Sequence, residues 1–366
     1  MRRAGLFGNA YDGTRVFLTG NTGFKGSWLH LWLEALGAKV TGFSLAPPSE
    51  PFHFPLLDLE GSTVTGDIRD RAQLARAMAE ARPDIVFHLA AQPLVRRSYA
   101  QAPETFETNV MGTVNLFEAC RATPSVRAVV NITSDKCYEQ LESPRGYVES
   151  DPMGGHDPYS CSKGCAELVT ASYRRSFFAP AQPPVLLSSV RAGNVIGGGD
   201  WGEDRLIPDM MRAAAQSREC IIRSPLSVRP WQHVLEPLCG YLMLGRRLLN
   251  GESVFADGWN FGPANNSFLT VAEVAEAVAA HWPAARHRAS PPSNAPHEAA
   301  MLRLDTRKAQ EELDWIPLWD TRRGIRETAR WYKAYYEDGE VLTRQQLETY
   351  VNEARHANRA WTGNAE

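Results

Sequence analysis

The sequence predicts an α/β fold, a doubly wound parallel sheet with a smaller α/β lobe attached. Three observations carry this. Short apolar runs alternate with amphipathic stretches from Val16 to Arg191. The first run ends in a glycine-spaced loop that opens a helix. Beyond about Ala192 the turns become denser and the helices shorter, as in Gly197-Gly198-Gly199 and Pro291-Pro292. Strands alternating with helices imply a parallel sheet covered on both faces.

Val16 to Thr19 is a short apolar run closed by Gly20, as in a buried strand. Trp28, Leu29, Trp32, Leu33 and Leu36 then recur at three- and four-residue spacing, so Phe24 to Leu36 reads as an amphipathic helix ended by Gly37. Lys39 to Leu45 is a second strand, broken off by Ala46-Pro47-Pro48. Asp84 to Leu89, Ala128 to Thr133 and Val185 to Arg191 are further buried strands. Helical patterns over Arg71 to Ala81 and Thr105 to Ala122 lie between them. The expected division is a dinucleotide-binding domain over 13–191, to which about 228–258 returns, and a mainly substrate-binding lobe over 192–350. Residues 351–366 are expected to form a frayed polar tail.

The chain has 366 residues, 43% hydrophobic and 22% charged, enough for a sizeable core. Its 39 basic and 42 acidic side chains give a formal net charge of −3 without any block of like sign. That argues against nucleic-acid and membrane-surface partners. No apolar run is long enough to cross a bilayer, and Met1 to Asp12 lacks the apolar centre of a secretion signal. Cys120, Cys137, Cys161, Cys165, Cys220 and Cys239 are scattered, so reduced thiols in a cytoplasmic protein are expected. Cys161 and Cys165 would share a helix face, but no third ligand stands at metal spacing, so they read as packing residues.

The loop Gly20-Asn21-Thr22-Gly23-Phe24-Lys25-Gly26 links the first strand to the first helix. Gly20 permits a tight turn, Gly23 lets backbone approach a pyrophosphate, and Gly26 allows close helix–strand packing. The free N–H groups at the helix start then face the phosphates. Tyr159 and Lys163 form the second motif, a phenol and an ammonium four residues apart on one helix face. A free tyrosine, with a pKa of about 10, is a poor base at neutral pH. Two nearby cations, Lys163 and an oxidised nicotinamide ring, are expected to lower it. The phenolate could then take a hydroxyl proton while hydride leaves the same carbon.

The G-x-x-G-x-x-G spacing resembles the extended branch of the short-chain dehydrogenase/reductase superfamily, with a Rossmann-type sheet. Gly66-Asp67-Ile68 matches that branch's adenine-binding segment, and Leu89-Ala90-Ala91-Gln92 matches the segment lining the cofactor after the fourth strand. The resemblance implies NAD as cofactor, with NADP the alternative. Ser44-Leu45-Ala46-Pro47 lacks the acid that normally grips the adenosine ribose, which predicts weak NAD binding. It also implies that the Ser134 hydroxyl bonds the reacting sugar oxygen, and that relatives pair through the helices bearing Asn109 and Tyr159, as homodimers or homotetramers. Asn109 fits the asparagine that kinks the central helix there. A plain buried hydrogen bond is an equal reading.

The pair after Ser134 distinguishes reactions within that branch. Asp135-Lys136, followed by Cys137-Tyr138, resembles the CDP-glucose 4,6-dehydratase family. Thr22 to Trp28, Ala91 to Arg96, Asn131 to Tyr138, Arg191 to Trp201 and Arg229 to Pro237 match the same family. Asn21 departs from it, where relatives often carry histidine, and Cys161 stands where asparagine is expected. The family's reaction moves hydride from C4 of glucose to NAD, removes the C5 proton, expels the 6-hydroxyl as water and returns hydride to C6. Asp135 is the implied acid and must carry a proton at working pH. Lys136 is the implied C5 base or, alternatively, a cation stabilising the enolate. The nucleotide-sugar substrate needs anion ligands. Arg229 and Asn194 match diphosphate contacts, Arg205-Leu206 the nucleobase segment, Gln92 the substrate side of the cofactor strand, and His297 with Glu298 a further matched patch. A 4-epimerase or another nucleotide's dehydratase is the alternative enzyme, and a silent dinucleotide sensor the alternative outside enzymes.

Overall fold

The structure is a computed structural model that describes residues 5–47, 50–140, 145–263, 268–290 and 303–363. Seven strands form one parallel sheet: β1 (Arg15–Thr19), β2 (Lys39–Ser44), β3 (Ser62–Thr65), β4 (Ile85–His88), β5 (Ala128–Ile132), β6 (Leu186–Ala192) and β7 (Gly258–Phe261). Their spatial order is β3-β2-β1-β4-β5-β6-β7. The order reverses between β1 and β4, where doubly wound sheets bind ligand at the strands' carboxyl ends. Register runs from Val16 opposite Val40 on one side and Ile85 on the other.

Alternation along the strands sends side chains to two cores. Val16, Leu18, Phe87 and Val130 pack with Trp28, Leu29 and Trp32 of α1 (Phe24–Ala35). Phe17, Val86 and Val129 pack on the other face with Leu74 and Met78 of α2 (Arg71–Ala81) and Leu116 and Phe117 of α3 (Gly112–Arg121). On that side also runs α4 (Pro158–Tyr173), which begins with Asp157 capping the Ser160 N–H at 3.0 Å and Pro158 in its first turn. The second lobe holds α5 (Leu206–Ala215) and two-stranded pairs such as Val195–Ile196 with Gln232–His233. From there α6 (Leu235–Leu249) returns to the first core, and β7 extends the sheet beside β6.

Two expectations are corrected, and one strand had no expectation at all. The helix foreseen over Thr105 to Ala122 begins at Ala102 and contains a π turn, Glu107–Met111, before α3. Buried Asn109 sits in that turn and bonds Gln92 and Ser162. The edge strand β3 has no signature in the sequence, because Ser62, Thr63 and Thr65 are polar and exposed and Val64 alone is apolar. The tail is not frayed as far as it is described. A helix runs over Thr343–His356, and Trp361 is buried, stacked at 5.0 Å on Phe7. Phe7 itself belongs to a segment, Leu6–Asn9, that lies ahead of the expected domain start.

Candidate active site

Gly20 has φ +73°, and a Cβ there would lie 2.7 Å from the Ala90 nitrogen. A Cβ on Gly26 would lie 2.0 Å from the Gly20 carbonyl oxygen. Both positions therefore exclude every other side chain. The first turn of α1 has no side-chain cap on Gly23, so its N–H groups face outward for an anion. Thr22 ties this loop to β2 through its hydroxyl to the Leu45 carbonyl at 3.2 Å. Leu89 and Ala90 run alongside, held by Thr19 at 3.1 and 3.2 Å. Ala91 is half-buried beside them. Asp67 receives Arg69 Nε at 2.9 Å; burial pushes its carboxyl up, but the Arg69 contacts outweigh this and hold it below its ordinary range. Ile68 is buried against Gly112, and its carbonyl accepts from Asn115 at 3.1 Å.

Two predicted ligands have other work. Asn21 is fully buried beneath the loop, donating to Thr63 Oγ1 at 2.8 Å and accepting from Ser44 at 2.9 Å. Its side chain fixes the loop on β2 and β3. Gln92 is likewise spent: its amide donates to Thr105 Oγ1 at 3.0 Å and to the Leu94 carbonyl at 3.1 Å, and its oxygen accepts from the Leu94 N–H at 2.6 Å. It shapes the chain around Pro93 and does not face the cavity. His297 and Glu298 lie outside the described residues.

The remaining groups converge. Phe24, Lys25, Ser134, Asp135, Lys136, Tyr159, Asn194, Arg205, Leu206 and Arg229 line one cavity of about 340 Å³. Ser134 ends the segment after β5 and caps a single turn, Asp135–Cys137; its hydroxyl donates to Asp135 Oδ1 at 3.0 Å and hydrogen-bonds Tyr159. Asp135 is 3% exposed, and its Oδ2 has no partner among the described residues. A Cβ on Gly193 would sit 2.1 Å from that oxygen, so glycine there makes room for the carboxyl. Lys136 is half-buried on the cavity wall.

Tyr159 and Lys163 occupy the same face of α4, both almost fully buried. Without the cofactor's charge, burial pushes the Tyr159 phenol up to about 12, and Ser134 and Arg205 only partly oppose it. Lys163 turns its ammonium toward the Ile132 carbonyl at 3.4 Å, and burial pushes it down to about 8. Lys25 also falls to about 8, through burial and the like charges of Lys163 and Arg205. At the far end Arg205 pairs with Asp200 at 2.9 Å, and Arg229 donates to the Val228 carbonyl at 3.0 Å. Asn194 holds φ +31° and accepts the Gln232 N–H at 3.2 Å. Sequence reasoning did not single out Gly193, Asp200 or Asp157, which cap, pair or make room for the groups above.

Fold and site together define an enzyme of short-chain dehydrogenase/reductase architecture, with a glycine loop and a Ser–Tyr–Lys set beyond the carboxyl ends of a parallel sheet. Among the described residues no helix is long and apolar enough to cross a membrane. The chain belongs to the GDP-mannose 4,6 dehydratase family, whose model matches residues 17–328. It is 49% identical to a CDP-glucose 4,6-dehydratase of Salmonella typhimurium over 94% of this chain and 98% of that protein. A dTDP-glucose 4,6-dehydratase of Neisseria gonorrhoeae is 29% identical over 73% of this chain and 79% of its own. Among solved structures, an epimerase of Methanothermobacter thermautotrophicus superposes with TM-score 0.78 at 26% identity, covering 92% of this chain and 96% of its own. A dTDP-glucose 4,6-dehydratase of Streptomyces venezuelae, with NAD bound, gives TM-score 0.76 at 24% identity over 89% of this chain and 100% of its own.

Proposed function

We propose that the chain is an NAD-dependent CDP-glucose 4,6-dehydratase, a hydro-lyase that converts CDP-D-glucose to CDP-4-keto-6-deoxy-D-glucose and water. The observation that carries this reading is the Asp135-Lys136 pair, set beside Ser134 and Tyr159 in one cavity. Identity of 49% with a CDP-glucose 4,6-dehydratase across nearly the whole chain supports the nucleotide. The cradle fits a dinucleotide: glycines at 20 and 26 let the loop pack against Ala90 and against its own backbone where a Cβ would collide, and the α1 N–H groups suit a pyrophosphate. Thr22, Gly23, Phe24 and Lys25 complete the loop side, Asp67 and Ile68 serve the adenine end, and Leu89, Ala90 and Ala91 form the wall. When bound, NAD accepts hydride from C4 of the sugar and later supplies it to C6.

The chain's own residues handle the protons. Tyr159, hydrogen-bonded with Ser134, takes the proton of the 4-hydroxyl. Burial pushes the phenol up to about 12, so it needs added positive charge nearby before it can act at neutral pH. The 4-ketone acidifies C5–H; Lys136 removes that proton and, after exchange with solvent, returns one to C5 as hydride reaches C6. Hydroxide leaves poorly, since the pKa of water is about 15.7, so Asp135 must protonate the 6-hydroxyl as it departs. The unpartnered Oδ2 of Asp135 suits that task. Arg229 and Asn194 hold the diphosphate, Arg205 and Leu206 border the nucleobase, and Lys163 holds the cofactor side of α4.

Turnover of CDP-glucose and its UDP, dTDP and GDP counterparts in heavy water tests the reading. A 4-keto-6-deoxy product deuterated at C5, formed from CDP-glucose in preference to the others, is expected. A 4-epimer without deuterium, or a preference for another nucleotide, refutes it. Lys136→Ala should lose C5 deuterium exchange and keep the first hydride transfer. We also assign 13–191 with 228–258 to the dinucleotide domain and the remainder to 350 to the substrate lobe. Exposed Met111 and Leu168, on the two helical segments bearing Asn109 and Tyr159, support a homodimer or homotetramer. The six free thiols suit a cytoplasmic setting.

A further inference from the structure

Behind the reacting groups lies a layer of buried charge that no step above uses. Glu167 of α4 and Arg191 of β6 form an ion pair at 2.8 Å, with side chains only 4% and 5% exposed. Glu167 also accepts from the Thr133 hydroxyl and from Ser189 Oγ, the latter at 2.7 Å. Arg191 Nη1 donates to the Tyr138 hydroxyl at 2.6 Å and to the Glu149 carbonyl at 3.0 Å. Tyr138 in turn donates to Asn260 Oδ1 of β7 at 2.7 Å.

These bonds join the segments that carry the site. Thr133 precedes Ser134, Tyr138 follows the turn of Asp135 and Lys136, and Arg191 stands two residues before Gly193. Glu167 lies one helical turn beyond Lys163. A slip of any segment against the others breaks a buried, charge-assisted hydrogen bond, which is costly in a low-dielectric interior. Burial of such a pair is weak evidence for stability, because apolar side chains of equal volume often serve as well. Its place at the junction of the three segments that carry the site gives it a different use.

We propose that the Glu167–Arg191 pair is a positioning device of the dehydration site, holding Lys163, Ser134 and the Asp135–Lys136 turn in one fixed arrangement. The inference rests on the dehydratase reading. The pair also acts through charge. Burial lowers Lys163 to about 8, while Glu167 and Cys137 oppose that fall. Lys25 from the glycine loop and His88 from β4 also sense the Lys163 charge, and Tyr159 lies one turn back on α4. Removing Glu167 therefore makes Lys163 lose its proton at lower pH.

Glu167→Gln alone strands a buried guanidinium and endangers the fold, so the informative variant is Glu167→Met with Arg191→Met. It is expected to fold and retain NAD, with KM little changed and kcat lowered by about 10-fold to 100-fold, the scale of a small misplacement of reacting groups. The alkaline limb of its pH–rate profile should move to lower pH. Tyr138→Phe keeps both charges and is the second variant: kcat falls while the alkaline limb stays. Competitive amine labelling of Lys163 against pH, read by mass spectrometry, needs no sugar and should reproduce the shift in the double variant. A folded double variant with parental kcat and parental Lys163 titration overturns the proposal, as does parental kcat in Tyr138→Phe. A parent enzyme inactive on CDP-glucose, beside a double variant whose Lys163 titration shifts, overturns the CDP-glucose reading while the charge link between the pair and Lys163 stands.

Discussion

Tyr159 and Lys163 stand one helical turn apart, and burial acts on both by disfavouring charge, so the phenol rises to about 12 and the ammonium falls to about 8. Their spacing was legible in the sequence; the size of the burial effect was not, because it depends on how little water reaches the phenol. Lys163 has a measurable consequence. Its folded pKa of about 8 lies below the ordinary 10.5, so between those values the unfolded chain holds more protons and stability rises with pH. Lys163→Met should raise stability at about pH 7 by about 1–3 kcal/mol and reduce that rise. Urea midpoints at about pH 7 and pH 9.5 check it. A variant no more stable than the parent at the lower pH contradicts the assignment.

The glycine loop is the element that ties sequence to fold most directly. Gly20 needs both a positive φ and the absence of a Cβ beside Ala90, and the three-residue spacing already implied close backbone packing. Gly20→Ala should cost roughly 1–2 kcal/mol from the dihedral alone, with the collision added. NAD retained after gel filtration should fall by about tenfold or more. Undiminished retention would mean that the loop does not form the cofactor cradle. By contrast the π turn at Glu107–Met111 was invisible to periodicity. It exists because Asn109 reaches across to Gln92 and Ser162, partners that come from other elements.

At the scale of the molecule, the two ends of the described chain close one cluster. Phe7 and Trp361 stack at 5.0 Å, Trp32 of α1 meets both edge-on at 6.0 and 5.8 Å, and Tyr350 stacks on Trp361 at 6.0 Å. Trp361→Ala should destabilise the protein by about 3–5 kcal/mol, as large aromatic deletions in a core do. Thermal unfolding checks this, and a melting temperature within a degree or so of the parent would show that the cluster is dispensable. The residues around Trp361 read as a polar tail because a single tryptophan among polar neighbours has no periodicity.

The sequence by itself determined the parallel sheet, the glycine loop, the Tyr159–Lys163 helix and the Asp135-Lys136 pair, together with the family these imply. Each rests on local spacing, which strand and helix geometry convert directly into a face or a turn. Tertiary structure alone decided that Asn21 and Gln92 are spent on protein contacts, that Gly193 makes room for Asp135, and that Glu167 meets Arg191 behind Lys163. Those facts depend on which side chains from distant segments meet where water is excluded, and one-dimensional spacing carries no record of that.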